Sequence, residues 1–193
     1  MLTLLAGLIL FLGVHSIRIF ADDWRTVQIA KHGVLKWKAV YALIALIGLW
    51  LIVVGYSASK AAPEMLWVAP VWSRHVAALL TIPAFVLLVA TYLPASRIKA
   101  KVGHPMLLAV KLWAVAHLLA NGTVAALLLF GSFLVWSVVN YAVSRRRDRR
   151  LGITGAEGTL KADILVIVVG LVLWKVFALY LHAALFGVKP FGG

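Results

Sequence analysis

The chain has 193 residues and no cysteine, 64% of its residues are hydrophobic, and its formal net charge is +13. Because soluble proteins contain only about 45–50% apolar residues, a chain of this composition could not cover its apolar surface in water. The lack of cysteine excludes disulfides, cysteine-based zinc sites, iron–sulfur clusters and thiolate-ligated haem. These numbers indicate a membrane protein in which any metal must be held by histidine, carboxylate, methionine or tyrosine side chains.

Apolar segments long enough to cross a bilayer, which takes about 17–25 residues, follow one another along the chain. Because lipid cannot hydrogen-bond an open backbone, we expect each segment to be a helix. The turn sequence Asn121-Gly122-Thr123 predicts a tight hairpin between the fourth and fifth segments. We predict a single all-α domain over residues 1–193, a polytopic bundle of six transmembrane helices at about 2–20, 39–56, 76–93, 105–120, 124–143 and 164–186.

Basic residues are concentrated in the first, third and fifth connections, which carry 14 lysines and arginines against three on the other side. The positive-inside rule then predicts cytoplasmic basic loops and both termini on the non-cytoplasmic side of the inner membrane. The basic run from Arg145 to Arg150 is expected to anchor this topology and to attract anionic lipid. The lipid bilayer is therefore the expected partner, and we expect no nucleic-acid partner.

Two lysines lie inside predicted spans, Lys111 in the fourth and Lys175 near the middle of the sixth. A lysine at mid-membrane costs about 2.5–3.5 kcal/mol and usually faces a partner or water. All six acidic residues lie in loops or at helix ends, so we expect Lys175 to face water, to be neutral, or to pair with an anion from outside the chain. Arg18 is a further cation for such an anion. His182 follows Lys175 by one heptad, which predicts nearly the same helix face.

The fourth span carries two polar stripes. Trp113, His117 and Asn121 are spaced by four residues and share one face. His104 and Lys111 are spaced by seven and share another, with His104 expected at the start of the helix because a proline follows it. Two stripes on one short helix predict that protein surrounds it on most sides.

Two histidines, His15 and His117, lie within spans and are flanked by apolar residues. Neutral imidazole suits axial ligation of haem iron, and the apolar sides of a helix bundle suit the faces of the porphyrin. Haem propionates would also supply anions for the basic side chains. Haem held by His117 and His15 is therefore one interpretation of these residues. A histidine that only hydrogen-bonds inside the bundle is the alternative.

Five segments together resemble the NnrU family of bacterial integral membrane proteins: "LGVHSIR", "GHPMLLAVKLWAVAHLLANG", "LLFGSFLVW", "RRRDRRLG" and "LHAALFGVKPF". The resemblance covers almost the whole chain. It implies an association with denitrification, that is, with nitrite and nitric oxide metabolism, and a nitrogen-oxide reductase as a partner. It leaves open whether the protein is an enzyme and assigns no catalytic residue.

The NnrU family is similar to the plant zeta-carotene isomerase, a haem b enzyme that isomerises a cis double bond in an apolar polyene. On that resemblance, the isomerase's ligand histidines fall on His15 and His117. The isomerase has a cysteine three residues before the second histidine, implicated in redox-dependent ligand exchange, where this chain has Ala114. A cysteine-for-histidine exchange is therefore impossible here, although a haem-dependent isomerase stays one alternative function.

The segment "GHPMLL" is similar to the Arg-His-Pro motif of isoprenylcysteine carboxyl methyltransferases, with Gly103 in place of the arginine. That similarity implies an alternative function in methyl transfer from S-adenosylmethionine. A non-catalytic membrane scaffold or assembly factor is the remaining alternative. Glycines in the spans would permit close helix packing within one chain or in a homo-oligomer.

Overall fold

The computed structural model describes residues 1–93, 95–155 and 157–191, most of which lie in helices. The elements in chain order are α1 (Leu2–Phe20), α2 (Asp22–His32), α3 (Val34–Ser59), α4 (Val71–Tyr92), α5 (Arg97–Val102), α6 (Pro105–Ala120), α7 (Val124–Arg150), α8 (Leu160–Val176), a π-helical turn (Phe177–Leu181) and α9 (His182–Phe186).

The predicted fold class is confirmed, since the chain is a polytopic α-helical membrane protein. Within the described residues, five helices are long and apolar enough to cross a membrane: α1, α3, α4, α7 and the continuous run Leu160–Phe186. The fourth predicted span is α6, whose 16 residues make about 24 Å of helix, less than the hydrocarbon core of about 30 Å. The orientation of the termini and the single domain stay predictions.

Several helices extend beyond the predicted spans. α3 begins at Val34 rather than at 39, and α7 continues to Arg150 rather than ending at 143. Hydropathy marks only the segment suited to lipid, whereas backbone hydrogen bonds continue into the polar residues at its ends. The predicted boundaries are therefore too short at these ends, and much of the basic charge lies on helices rather than in loops.

Helix α2 was not predicted, because the first connection has no apolar run. Its acidic residues Asp22 and Asp23 lie in the first turn and its basic residues in the last turn, which is the arrangement that the helix dipole favours. Trp24 packs against Trp37 of α3 with ring centroids 5.7 Å apart. The first connection is thus a charged helix with an aromatic contact to the span that follows it.

The chain divides into two compact units, and the first comprises residues 1–67 with 122–136. In this unit α1 packs closely on α3 through glycines. A Cβ added to Gly7 would lie 2.6 Å from the backbone nitrogen of Ile52, and one added to Gly48 would lie 2.7 Å from that of Phe11. Gly55 also lies against backbone of α1. The predicted close helix approach is confirmed at these glycines.

The second unit comprises residues 68–121 with 137–193. Helix α8 packs on α4 through a core that contains Val89, Ala90 and Val166. The indole nitrogen of Trp174 donates a hydrogen bond to the hydroxyl of Thr81 at 2.9 Å, which satisfies two polar groups inside the spans. Both of these contacts place α8 against α4 along most of its length.

Candidate functional site

His117 lies in the last turn of α6 and is held by its own helix. Its Nδ1 donates a hydrogen bond to the carbonyl of Trp113 at 2.8 Å, and the two rings have centroids 5.1 Å apart. The side-chain amide of Asn121 donates to the carbonyl of His117 at 2.8 Å. The three residues of the predicted stripe, Trp113, His117 and Asn121, are thus linked through successive hydrogen bonds to backbone carbonyls of the helix.

His182 lies next to His117, a contact that the sequence did not predict. The two ring centroids are 6.5 Å apart and the ring planes differ by 28°. His182 donates a hydrogen bond from Nδ1 to the carbonyl of Val188 at 2.7 Å. Both imidazoles thus use the same nitrogen to bind backbone.

The π-helical turn explains how His182 reaches this position. The backbone N–H of His182 bonds to the carbonyl of Phe177, five residues earlier, instead of four. Such a turn holds about one extra residue, which rotates everything after it by about 100°. The prediction that Lys175 and His182 share one face is therefore wrong: Lys175 is exposed, whereas His182 is half-buried beside His117.

Aromatic side chains surround His182. Its ring centroid lies 5.1 Å from that of Phe186 and 6.0 Å from that of Phe177. Phe177 also contacts Phe85 of α4 at 5.4 Å. Together with Trp113 beside His117, these rings give the histidine pair an apolar and aromatic environment.

His15 belongs to the first unit and has its own aromatic surroundings. Its Nδ1 donates to the carbonyl of Phe11 at 2.6 Å, and the ring stacks on that of Phe11 with centroids 4.2 Å apart. Tyr41 and Trp136 present ring edges at 5.2 and 6.1 Å. The two predicted ligands, His15 and His117, thus lie in different units.

The hydrogen bonds assign the tautomers of these rings. Since a carbonyl oxygen can only accept, Nδ1 must carry the hydrogen in His15, His117 and His182. In a neutral imidazole the lone pair then lies on Nε2, the nitrogen that a metal would bind. Metal-ligating histidines commonly donate their other N–H to a carbonyl or carboxylate in this way.

His104 uses the other ring nitrogen, Nε2, for its hydrogen bond. It lies among polar side chains between α6 and α7. Its Nε2 bonds to the carboxylate of Asp148 at 2.8 Å. Tyr141 donates from its hydroxyl to the carbonyl of Val102 at 3.0 Å, and the ammonium of Lys111 lies 4.3 Å from the centre of the Tyr141 ring. His104 and Lys111, the members of the second predicted stripe, both lie beside Tyr141, whose ring centroid is 6.3 Å from that of His104.

The guanidinium of Arg145, from α7, lies beside Gly103, the residue before His104. A Cβ added to Gly103 would lie 2.6 Å from a terminal guanidinium nitrogen of Arg145. Gly103 also has a φ of 72°, a left-handed conformation that favours glycine. In the Arg-His-Pro motif that this segment resembles, an arginine occupies the position of Gly103. Here a guanidinium lies beside that position, but it belongs to Arg145.

The remaining predicted cations differ in their partners. Arg18 forms an ion pair with Asp22 at 3.7 Å, so the first turn of α2 already supplies it with a carboxylate. Lys175 is exposed and makes no hydrogen bond or ion pair with any residue that the structure describes. Among these candidates, Lys175 and Lys111 keep an ammonium for an anion from outside the chain.

No group of three or more histidine, aspartate or glutamate side chains capable of holding a metal ion occurs in residues 1–93, 95–155 and 157–191. A closed zinc-type site needs four ligands, so these residues do not form one. Haem iron needs only one or two side chains, because the porphyrin supplies four nitrogens. A histidine whose Nδ1 is held by a backbone carbonyl, in aromatic and apolar surroundings, is a donor of the kind that haem iron takes.

These features define a class: a polytopic α-helical membrane protein with imidazoles held in fixed tautomers inside its spans. Within that class the chain belongs to the NnrU family, since the model of the family described as NnrU protein matches residues 3–190. The sequence-based recognition of this family is confirmed. No curated protein and no solved structure matches the chain.

Proposed function

We propose that this NnrU-family protein binds haem b through His117 and serves nitrite and nitric oxide metabolism in the inner membrane. The observation that carries the proposal is the hydrogen bond from Nδ1 of His117 to the Trp113 carbonyl at 2.8 Å. It fixes the ring orientation and leaves the metal-binding lone pair on Nε2, on an apolar helix. Bound haem would supply an iron centre that exchanges single electrons.

The chain's own residues would position and shield this group. Aromatic rings beside His117 provide apolar contacts for a porphyrin face. His15 is the second ligand that the family resemblance implies, and its Nδ1 is held by backbone in the same way. Among the predicted cations, Lys175 would be available to a propionate, whereas Lys111 lies over the Tyr141 ring and Arg18 pairs with Asp22. A nitrogen-oxide reductase is the proposed partner.

A polyene isomerase is less well supported by the residues around His117. Ala114, at the position of the isomerase's cysteine, is 0% exposed and packed inside the bundle. An alanine methyl cannot ligate iron, so the known ligand exchange has no counterpart at this position. Isomerase activity would require the displacement of a histidine instead.

A non-catalytic scaffold is the second candidate function, because the same hydrogen bonds would satisfy histidines in lipid without any metal. Interhelical polar contacts in membranes contribute only about 0.6 kcal/mol on average. In a scaffold, replacing His117 would therefore change little beyond a small part of the stability.

The experiment that decides is a spectrum of the protein purified in mild detergent from a haem-replete host. We expect a Soret band that is lost in His117→Ala and kept in His32→Ala, a control on an exposed histidine of α2. Colourless wild-type protein from such a host would exclude haem binding and favour the scaffold.

A further inference from the structure

The helical run Leu160–Phe186 carries a lysine near its middle, where the bilayer is most apolar. With 27 residues, the run is about 40 Å long, so about 5 Å of it extends beyond each edge of a hydrocarbon core of about 30 Å. Lys175 lies 11 residues before Phe186, which places its Cα about 12 Å inside the nearer edge. An extended lysine side chain is about 6 Å long. The ammonium of Lys175 therefore does not reach the lipid head groups.

The chain supplies no carboxylate at this depth. Lys175 forms no hydrogen bond or ion pair with any residue in 1–93, 95–155 or 157–191. The six acidic residues of the sequence lie in connections or in the first or last turn of a helix: Asp22, Asp23, Glu64, Asp148, Glu157 and Asp163. A second copy of residues 1–193 would bring the same six. The counter-ion of Lys175 must therefore come from a different molecule.

The side of α8 that carries Lys175 is open to the membrane. On the opposite side, Val166 is buried and Trp174 donates its hydrogen bond to Thr81 of α4. The outer face of α8 consists of Lys175 and the exposed residues three, four and seven positions before it: Val172, Leu171 and Val168. This outer face is a stripe of aliphatic side chains with one cation in it.

A lone cation on an aliphatic stripe fits a transmembrane helix better than it fits lipid. Ionisable side chains within membranes usually pair with one another, and helices associate in lipid through packing and polar contacts. We infer that the outer face of α8 packs against a transmembrane helix of a partner protein, and that this helix carries an aspartate or glutamate at the depth of Lys175. The carboxylate of the partner then occupies the ammonium for which a propionate would otherwise compete.

The test measures energy transfer between the labelled full-length protein and labelled model helices in phosphatidylcholine vesicles. The model helices are transmembrane peptides of leucine and alanine with either glutamate or glutamine at the centre. We expect the glutamate peptide to bind about tenfold more tightly than the glutamine peptide. This preference should disappear in Lys175→Leu and persist in Lys161→Leu, the matched control on an exposed lysine at the start of the same helix.

Charge reversal keeps the test independent of misfolding. Lys175→Glu should prefer a peptide with a central lysine over the glutamate peptide, and a misfolded variant would not exchange one preference for the other. Equal binding of the glutamate and glutamine peptides to the wild type would contradict the inference, since this is the result expected if Lys175 is neutral or bonds to lipid phosphates.

Two further outcomes identify a different occupant. Self-association that excludes the peptides from the wild type and from Lys175→Leu alike would assign the outer face of α8 to a second copy and refute the inference. Loss of haem in Lys175→Leu would assign the ammonium to a propionate, with the same consequence. Colourless wild-type protein that prefers the glutamate peptide would contradict the proposed function alone, because the inference does not depend on haem.

Discussion

Helix α6 carries a histidine at each end, and the two are bonded in opposite ways. His104 uses Nε2 to bind the carboxylate of Asp148, whereas His117 uses Nδ1 to bind a carbonyl of its own helix. The first bond joins α6 to α7, and the second joins no helices. The difference separates a histidine that bonds to another helix from one that is held by its own helix, which the proposed function makes a haem ligand.

The largest expected effect is the loss of bound haem when His117 is replaced. His117→Phe should lower the haem bound per protein more than tenfold, since loss of even a supporting partner of a metal ligand costs about 10–100-fold. His104→Phe, in the same helix, should keep the haem. The measurement is the pyridine haemochrome content of the two purified variants. Equal haem loss in both would contradict the division of roles.

The next effect is a loss of stability when the hydrogen bond between His104 and Asp148 is removed. Asp148→Ala removes the acceptor of the His104 bond and leaves a partly buried N–H without it, which should lower the free energy of unfolding by about 1–3 kcal/mol. Haem content should not change. Denaturant titration in micelles measures the loss, and Glu64→Ala, on an exposed carboxylate between α3 and α4, is the control. A stability within error of the wild type would show that the His104 bond stabilises nothing.

Much of the fold could be predicted because every segment that spans lipid must be apolar, long enough to cross it, and helical. Six apolar runs, the turn around Gly122 and the stripe of three residues, spaced by four, that ends at Asn121 all follow from composition and helical period. Helix α2 could not be predicted in this way, since its stability comes from terminal charges and a Trp24–Trp37 contact. The acid-to-base order of its sequence is the signal that could have revealed it.

The candidate site was predictable only in part. His117 and its stripe follow from spacing, but the approach of His182 depends on the π-helical turn within "FALYL", an apolar segment like many others in the chain. Periodicity at 100° per residue assumes that every turn is regular. One irregular turn moves a side chain to another face of the helix. The segment contains no glycine or proline from which this turn could have been predicted.

A smaller effect is expected at Tyr141. Tyr141→Phe removes the hydroxyl that bonds the Val102 carbonyl at 3.0 Å, and a neutral hydrogen bond contributes about 0.5–1.5 kcal/mol. The ring stays in place for Lys111. Micellar unfolding should show this loss with unchanged haem, and Tyr92→Phe, on an exposed tyrosine of α4, should show none. A loss above that range would mean that the ring contacts were also disturbed.

The smallest expected effect shows whether Lys111 contacts Tyr141 or a haem propionate. Its ammonium lies 4.3 Å from the Tyr141 ring, and a cation–π contact at this distance contributes about 0.5–1 kcal/mol. A double-mutant cycle with Lys111→Met and Tyr141→Leu should therefore give a coupling of about 0.5–1 kcal/mol in the free energy of unfolding, while Lys111→Met keeps the haem. Zero coupling together with lost haem would instead assign Lys111 to a propionate. The contacts that hold the start of α6 against α7 would then be those of His104 with Asp148 and of Tyr141 with Val102.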